Sequence, residues 1–217
     1  MDDPVPSTLT IMGIYPYDAV PVQTERWTKL LTEFQQRYHH PVEFVARSPG
    51  RVNIIGEHID YSLYEVLPMA VTADVLIAVS TTTAHARPSS SVGAKVSIAN
   101  VNSSKFQSAE FRILPNGDVS IDASTHEWTN YFKAGLRGAM GLLQKLWDGV
   151  DSFKPENMEI MVDGNVPSGG GLSSSAAFVC ASALAVLKAN GEAKVLKKDL
   201  VELAIVSERA VGVNSGG

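Results

Sequence analysis

An α+β fold is the architecture this sequence predicts, on three observations. Short β-branched apolar runs are mixed irregularly with longer stretches of helical periodicity. No internal repeat or low-complexity segment is present. The 217-residue chain is 45% hydrophobic and 19% charged, which is enough apolar material for a packed core. Its lone cysteine excludes an internal disulfide framework, and 18 Lys+Arg against 23 Asp+Glu leave a net charge of −5. That balance argues against a sequence-independent grip on nucleic acid or on an anionic membrane. The N-terminus, Met1-Asp2-Asp3-Pro4, has neither the basic nor the apolar region of a signal peptide. The longest apolar run, Ala176 to Leu187, falls short of the roughly 20 residues that span a bilayer. The expectation is a cytoplasmic protein that contacts neither nucleic acid nor membrane; the sequence gives no sign of its oligomeric state.

Each element follows from local pattern. Four prolines among small residues make 1–22 an extended arm. Trp27, Leu30, Leu31, Phe34 and Tyr38 keep the i, i+3, i+4 spacing of an amphipathic helix, and Pro41 ends it. Val42 to Ala46 reads as a strand followed by a Ser48-Pro49-Gly50 turn. Val66 to Val79 reads as buried strands interrupted at Pro68, Thr72 and Asp74. The Ser-, Thr- and Asn-rich stretch 80–125 carries short alternating segments at Lys95–Ala99 and Ala109–Ile113, the pattern of hairpins. Trp128, Tyr131, Phe132, Gly135, Leu136, Met140, Leu143 and Trp147 mark a second long helix. Met158 to Val162 is a strand, and Ser174 to Asn190 and Asp199 to Glu208 are helices. Smaller signals read as ordinary surface or core: His39-His40 as a solvated helix end, Cys180 as a buried thiol, and Lys194, Lys197 and Lys198 as a solvated turn.

The chemistry concentrates in two segments. The first is Pro167-Ser168-Gly169-Gly170-Gly171-Leu172-Ser173-Ser174-Ser175-Ala176-Ala177, wedged between a strand and an apolar helix. Its glycines let backbone N–H groups turn inward, and the helix N-terminus adds partial positive charge where they converge. That makes an anion site, most naturally for phosphates. Ser173, Ser174 and Ser175 add hydroxyls able to cap the helix, bond phosphate oxygens or ligate a hard cation such as Mg²⁺. No Lys-Ser/Thr follows the glycines, so the loop is not a Walker A motif. The second segment is Gly50-Arg51-Val52-Asn53-Ile54-Ile55-Gly56-Glu57-His58-Ile59-Asp60-Tyr61. Glu57, His58 and Asp60 can hold the several hydroxyls of a sugar. A metal site there is the weaker reading, because a single histidine is nearby. Arg51, permanently charged, can stabilise a phosphoryl group in transfer.

These residues carry a resemblance. GRVNIIGEHIDY resembles the galactokinase signature, and VPSGGGLSSSAA resembles the ATP-binding loop of the GHMP kinase superfamily. The surrounding EHIDYSLYEVLPMAV and DVLIAV look most like fungal galactokinases and animal N-acetylgalactosamine kinases. The resemblance runs from about residue 43 to the end. It implies the N-terminal domain of the GHMP kinase fold (ribosomal protein S5 domain 2-like) without its C-terminal domain. Residues 1–41 would form an arm and first helix, and 42–217 the galactose- and ATP-binding domain. Glu57, His58, Asp60 and Gly216 would bind the sugar, and Arg51 would lie near the anomeric hydroxyl and the γ-phosphate. Gly169, Gly170, Gly171, Leu172, Ser173, Ser174 and Ser175 would wrap the ATP phosphates, with Ser175 and Glu208 on Mg²⁺. Trp128 and Tyr131 resemble a segment lining an adenine pocket. In the family, the stretch matching Val211 to Gly217 leads into Met-Asp-Gln, so the expected catalytic aspartate falls two residues past Gly217 and the chain by itself should turn over negligibly. Ile59 and Ser62-Leu63-Tyr64 depart from the common bacterial pattern, which leaves sugar selectivity open. The implied activity is galactokinase, with N-acetylgalactosamine kinase and a non-catalytic galactose and ATP sensor as alternatives; the intact serine run favours the enzyme.

Overall fold

The computed structural model describes residues 3–56, 59, 62–81, 93–125, 127–147, 154–192 and 194–211. Its strands are β1 (Phe44–Asn53), β2 (Pro68–Thr81), β3 (Ala94–Asn100), β4 (Ala109–Ile113) and β5 (Met158–Gly164). They form one five-stranded sheet in the order β1-β2-β5-β3-β4. β3 and β5 run parallel, while the other neighbours are antiparallel. The helices are α1 (Val20–Tyr38), α2 (Trp128–Leu146), α3 (Ser174–Ala189) and α4 (Lys197–Glu208). This is the α+β arrangement expected from the sequence. No helix among the described residues is long and apolar enough to cross a membrane.

Strand alternation divides the core into two layers. Val75, Ile77 and Val79 of β2 and Met158, Ile160 and Val162 of β5 join α2, α3 and α4 in the larger cluster. Leu76, Ala78 and Met161 face the other way and pack against Leu30 and Phe34 of α1. Because helices cover both faces, β2 reads as a continuous apolar run, not an alternating one. α4 comes close to α2 because Gly138 lacks a side chain: a Cβ there would lie 2.1 Å from the Ser207 hydroxyl. That approach sets the depth of the next residue, Glu208.

Several boundaries differ from the sequence reading. β1 does not turn at Ser48-Pro49-Gly50 but continues to Asn53, with Pro49 opposite Asp74 and a register shift before Arg51. Proline is tolerated because β1 is an edge strand, where a missing N–H donor leaves no ladder partner stranded. β2 is one strand whose irregularity is absorbed at that shift, not several broken ones. α1 begins at Val20, with a proline in its first turn, seven residues before the first apolar residue that signalled it. The arm before it is docked: Tyr15 is buried, and Pro4 bridges Leu196. His40 is not a solvated end, since its ring pairs with Glu159 and lies against Phe34 and Tyr38. Lys197 and Lys198 pair with Asp3 and Glu202.

Candidate functional site

The chain leaving β5 forms the glycine–serine loop and enters α3, and its backbone has an unusual rhythm. Left-handed φ recurs at every second position, at Gly169 (+71°), Gly171 (+70°) and Ser173 (+53°), while the intervening residues are not left-handed. Such alternation turns successive N–H groups toward one concavity, which receives anions. A side chain in that region costs about 1–2 kcal/mol; glycine avoids the cost at two positions and Ser173 bears it at the third. A Cβ on Gly169 or Gly171 would meet nothing within 4 Å, so the glycines answer to backbone conformation and not to crowding. The ladder of α3 opens with the Ala177 N–H donating to Ser173 O at 3.0 Å, leaving the amides of the preceding turn without an intrahelical acceptor. Ser173 sits at the N-cap position but makes no side-chain capping bond.

Both ends of this open loop are fastened. At its start, the Asn165 N–H donates to Asp74 O at 3.1 Å and the Asp74 N–H donates to Asn165 Oδ1 at 2.7 Å. At its end, the Arg51 N–H donates to Leu172 O at 3.0 Å. Gly50 makes this closeness possible, because a Cβ there would lie 2.9 Å from Leu172 O and 3.0 Å from a methyl of Val166. Strand β1 and the loop are therefore in direct contact at the residue before Arg51.

Glu208 closes α4 at this point and is only 1% exposed. Burial pushes its carboxyl above the usual range, while hydrogen bonding from Ser175 and the charge of Arg51 pull it back down. Arg51, Ser175 and Glu208, widely separated in sequence, are thus brought together. The macrodipole disfavours a carboxylate in the last turn of a helix, and Arg51 compensates in part. Compensation is incomplete: among the described residues, the buried side-chain atoms with no hydrogen-bond partner are Glu208 Oε1 and both amide atoms of Asn53. An orphaned buried polar group carries a desolvation penalty of about 1–3 kcal/mol. Of the two residues bearing such groups, Asn53 stands two positions from Arg51 on the same strand and Glu208 feels the charge of Arg51.

That donor set fits a small hard cation. Mg²⁺ takes oxygen ligands and is bound through one or two carboxylates plus substrate phosphates and water. Glu208 Oε1 and the Ser175 hydroxyl are oxygen donors at the mouth of the anion-receptive loop. No group of three or more His, Cys, Asp or Glu that could hold a metal occurs among the described residues. Glu57, His58, Asp60 and Gly216 lie outside the described residues. Trp128 stacks on Phe178 of α3 at 6.0 Å between ring centroids and donates its indole N–H to Gln107 O at 2.9 Å, so one ring face and its donor are already engaged. Burial raises the Cys180 thiol pKa.

Sequence reasoning missed two features. Asn53 was invisible as a site residue, since nothing in a strand sequence shows that an amide will be buried without partners. The other is a cluster around Asp74, which is fully buried. Its carboxylate accepts from the Tyr15 hydroxyl at 2.6 Å, from Arg47 Nε at 2.5 Å and from Arg26 Nη1. Arg26 also donates to Asp163, and the Arg47 guanidinium lies 4.8 Å from the centre of the Tyr15 ring.

The comparisons agree on one kinship. The galactokinase galactose-binding signature matches residues 32–81, and the GHMP kinases N terminal domain matches residues 130–217. A galactokinase of Schizosaccharomyces pombe is 46% identical over 196 residues, covering 88% of this chain and 36% of that protein. A galactokinase of Candida maltosa is 40% identical over 212 residues, covering 97% of this chain and 92% of that protein. Among solved structures, Lactococcus lactis galactokinase complexed with galactose superposes with a TM-score of 0.67 at 25% identity, covering 88% of this chain and 44% of that one. Methanococcus jannaschii mevalonate kinase, at 17% identity and a TM-score of 0.60 over 79% of this chain and 48% of that one, shares the fold. The chain spans about a third of the length of several of these relatives, 36% of the S. pombe protein and 35% of a Candida parapsilosis galactokinase.

Proposed function

The chain belongs to the galactokinase family of the GHMP kinases, and from that premise we propose that it carries the galactose- and ATP-binding surfaces for transfer of the γ-phosphoryl group of ATP to the 1-hydroxyl of galactose. The observation that supports this reading best is the meeting of Arg51, Ser175 and Glu208 at one end of an anion-receptive loop. Residues 42–217 form the binding domain in this reading, with 1–41 as its arm and first helix.

The amides of Gly169 to Ser175 and the N-terminus of α3 receive the β- and γ-phosphates. Arg51 stands where charge develops on the phosphoryl group, and its strand carries it there through the Leu172 contact. Ser175 and Glu208 would hold Mg²⁺, which would neutralise phosphate charge and orient the transferred group. Glu57, His58, Asp60 and Gly216 bind the sugar, and the amide of Asn53 offers a donor and an acceptor to a hydroxyl nearby. In the transfer, O1 of galactose forms a bond to Pγ as the bond from Pγ to the β,γ-bridging oxygen breaks; ADP leaves with that electron pair and the hydroxyl proton is released. Positioning and charge neutralisation supply the rate, as in phosphoryl transfer generally.

Isothermal titration of the 217-residue chain with galactose, and separately with a non-hydrolysable ATP analogue in Mg²⁺, tests the proposal. Saturable binding of both at one site each is the expected result. A folded chain that binds neither overturns it.

A further inference from the structure

We propose that Asp74 is a positioning residue for the phosphate site, holding Arg51 and the glycine–serine loop in a fixed relation while touching neither ligand. The inference rests on the loop being the phosphate site. Asp74 stands in β2 opposite Pro49 of β1, immediately before the register shift that precedes Arg51. Across the shift, the pairing moves from Pro49 with Asp74 to Arg51 with Ala70. Two residues of β1 are thereby matched to four of β2, so hydrogen bonding between the strands alone does not fix where Arg51 falls. The shift is local slack, and something else has to take it up.

The backbone around Asp74 closes a ring that does so. Asp74 exchanges two hydrogen bonds with Asn165, at 2.7 and 3.1 Å, and Asn165 leads through Val166 into the loop. The loop returns to β1 where Leu172 O accepts from the Arg51 N–H at 3.0 Å, and β1 returns to Asp74 through Pro49. Movement of Asp74 along β2 therefore displaces the entry of the loop relative to its exit. The carboxylate prevents that movement. It accepts from Tyr15 of the N-terminal arm, Arg26 of α1 and Arg47 of β1, and Arg26 also reaches Asp74 O at 3.1 Å and the Asp163 carboxylate on β5. Three separate parts of the chain thus converge on one buried side chain whose backbone anchors the loop, and a fourth, β5, joins through Arg26 and Asp163. Two arginines on one buried aspartate go beyond neutralising it, and a buried ion cluster gains little over apolar packing as a source of stability. Fixed geometry is what the arrangement supplies.

The experiment compares Tyr15→Phe and Asp74→Asn with Leu30→Val, which weakens the same face of the sheet without touching the ring. Glycine-labelled chain without ligand is followed by amide NMR at Gly169, Gly170 and Gly171, and ATP binding in Mg²⁺ is titrated on the same samples. Tyr15→Phe and Asp74→Asn should shift or broaden the loop glycine resonances and weaken ATP on the order of tenfold, roughly the loss of one hydrogen bond to a charged group. Leu30→Val should lower the melting temperature and leave both readouts unchanged. If Asp74→Asn does not fold, Tyr15→Phe decides. Loop resonances and ATP affinity that stay at their wild-type values in folded Tyr15→Phe and, where it folds, Asp74→Asn overturn the proposal and leave Asp74 as a fold-stabilising group. Wild-type chain that fails to bind ATP overturns the functional reading, while the ligand-free resonances still test the ring.

Discussion

The glycine–serine loop and the Asp74 cluster are both polar, and they are built on opposite terms. Around Asp74 every group has a partner: three side chains on the carboxylate, two backbone bonds to Asn165 and a second acidic partner for Arg26. At the loop, left-handed residues hold amides open, Ser173 spends its hydroxyl on no cap, and Glu208 and Asn53 carry buried atoms with no partner. Satisfied polar groups fix a shape, and unsatisfied ones await something. The contrast, more than any concavity, is what supports placing the ligands at the loop in the proposed reading. An open groove lined by Arg37, Tyr38, His40, Lys95, Glu110 and Glu159 lies on the α1 side of the sheet, but its charges largely pair with one another, Lys95 with Glu110 and His40 with Glu159.

The largest effect should come from breaking the satisfied region. Asp74→Ala leaves Arg47 without its carboxylate and Arg26 with Asp163 alone, and about 3–5 kcal/mol of stability should be lost; urea denaturation measures it. The loop should respond in the opposite manner. Gly171→Val places a side chain at φ +70° in open space, so stability should fall by about 1–2 kcal/mol while ATP binding disappears, separating function from stability.

Glu208→Gln sharpens the comparison through pH. Burial raises this carboxyl, so the folded chain binds a proton that the unfolded chain has already released. Stability therefore falls as pH rises from the ordinary glutamate range through the raised folded value. The glutamine variant should lack that decline, melting higher than the parent at neutral pH and losing its advantage in acid. Thermal melts across pH read this directly. The smallest effect belongs to Asn53→Leu. Removing a buried amide with no partners and filling its volume should leave stability unchanged or raise it by about 1 kcal/mol. Galactose affinity in the same variant should fall.

Much of the frame was legible in the sequence, for identifiable reasons. The β-branched runs at 75–79 and 158–162 and the apolar spacing of 128–147 announce elements whose partners are themselves apolar, so local pattern and tertiary structure agree. Pro49-Gly50 misled because the pair reads as a turn wherever the strand is central; only the sheet order shows that β1 is an edge. Val20 and Pro21 gave no periodic signal, and the first turns of α1 are organised by Gln23 and Arg26 reaching toward polar partners, not by an apolar stripe. Tyr15, Arg26, Arg47, Asp74 and Asp163 are scattered over 149 positions, and no spacing rule gathers them. At the site, the loop was readable from its glycines and its place between strand and helix. The link from Ser175 to Glu208 entered through family resemblance, and its physical reason, a buried carboxylate with one oxygen lacking a partner, is visible only in three dimensions.

In the proposed reading, Glu208, with Ser175, completes a cation and phosphate site beside Arg51. Titrating ATP into wild-type chain and Glu208→Gln, each with Mg²⁺ and with EDTA, tests it most directly. Wild-type affinity should strengthen with Mg²⁺, and the variant should bind ATP with the same affinity in both conditions. Wild-type affinity that is equal in Mg²⁺ and EDTA, or a variant that keeps the full Mg²⁺ effect, would contradict it.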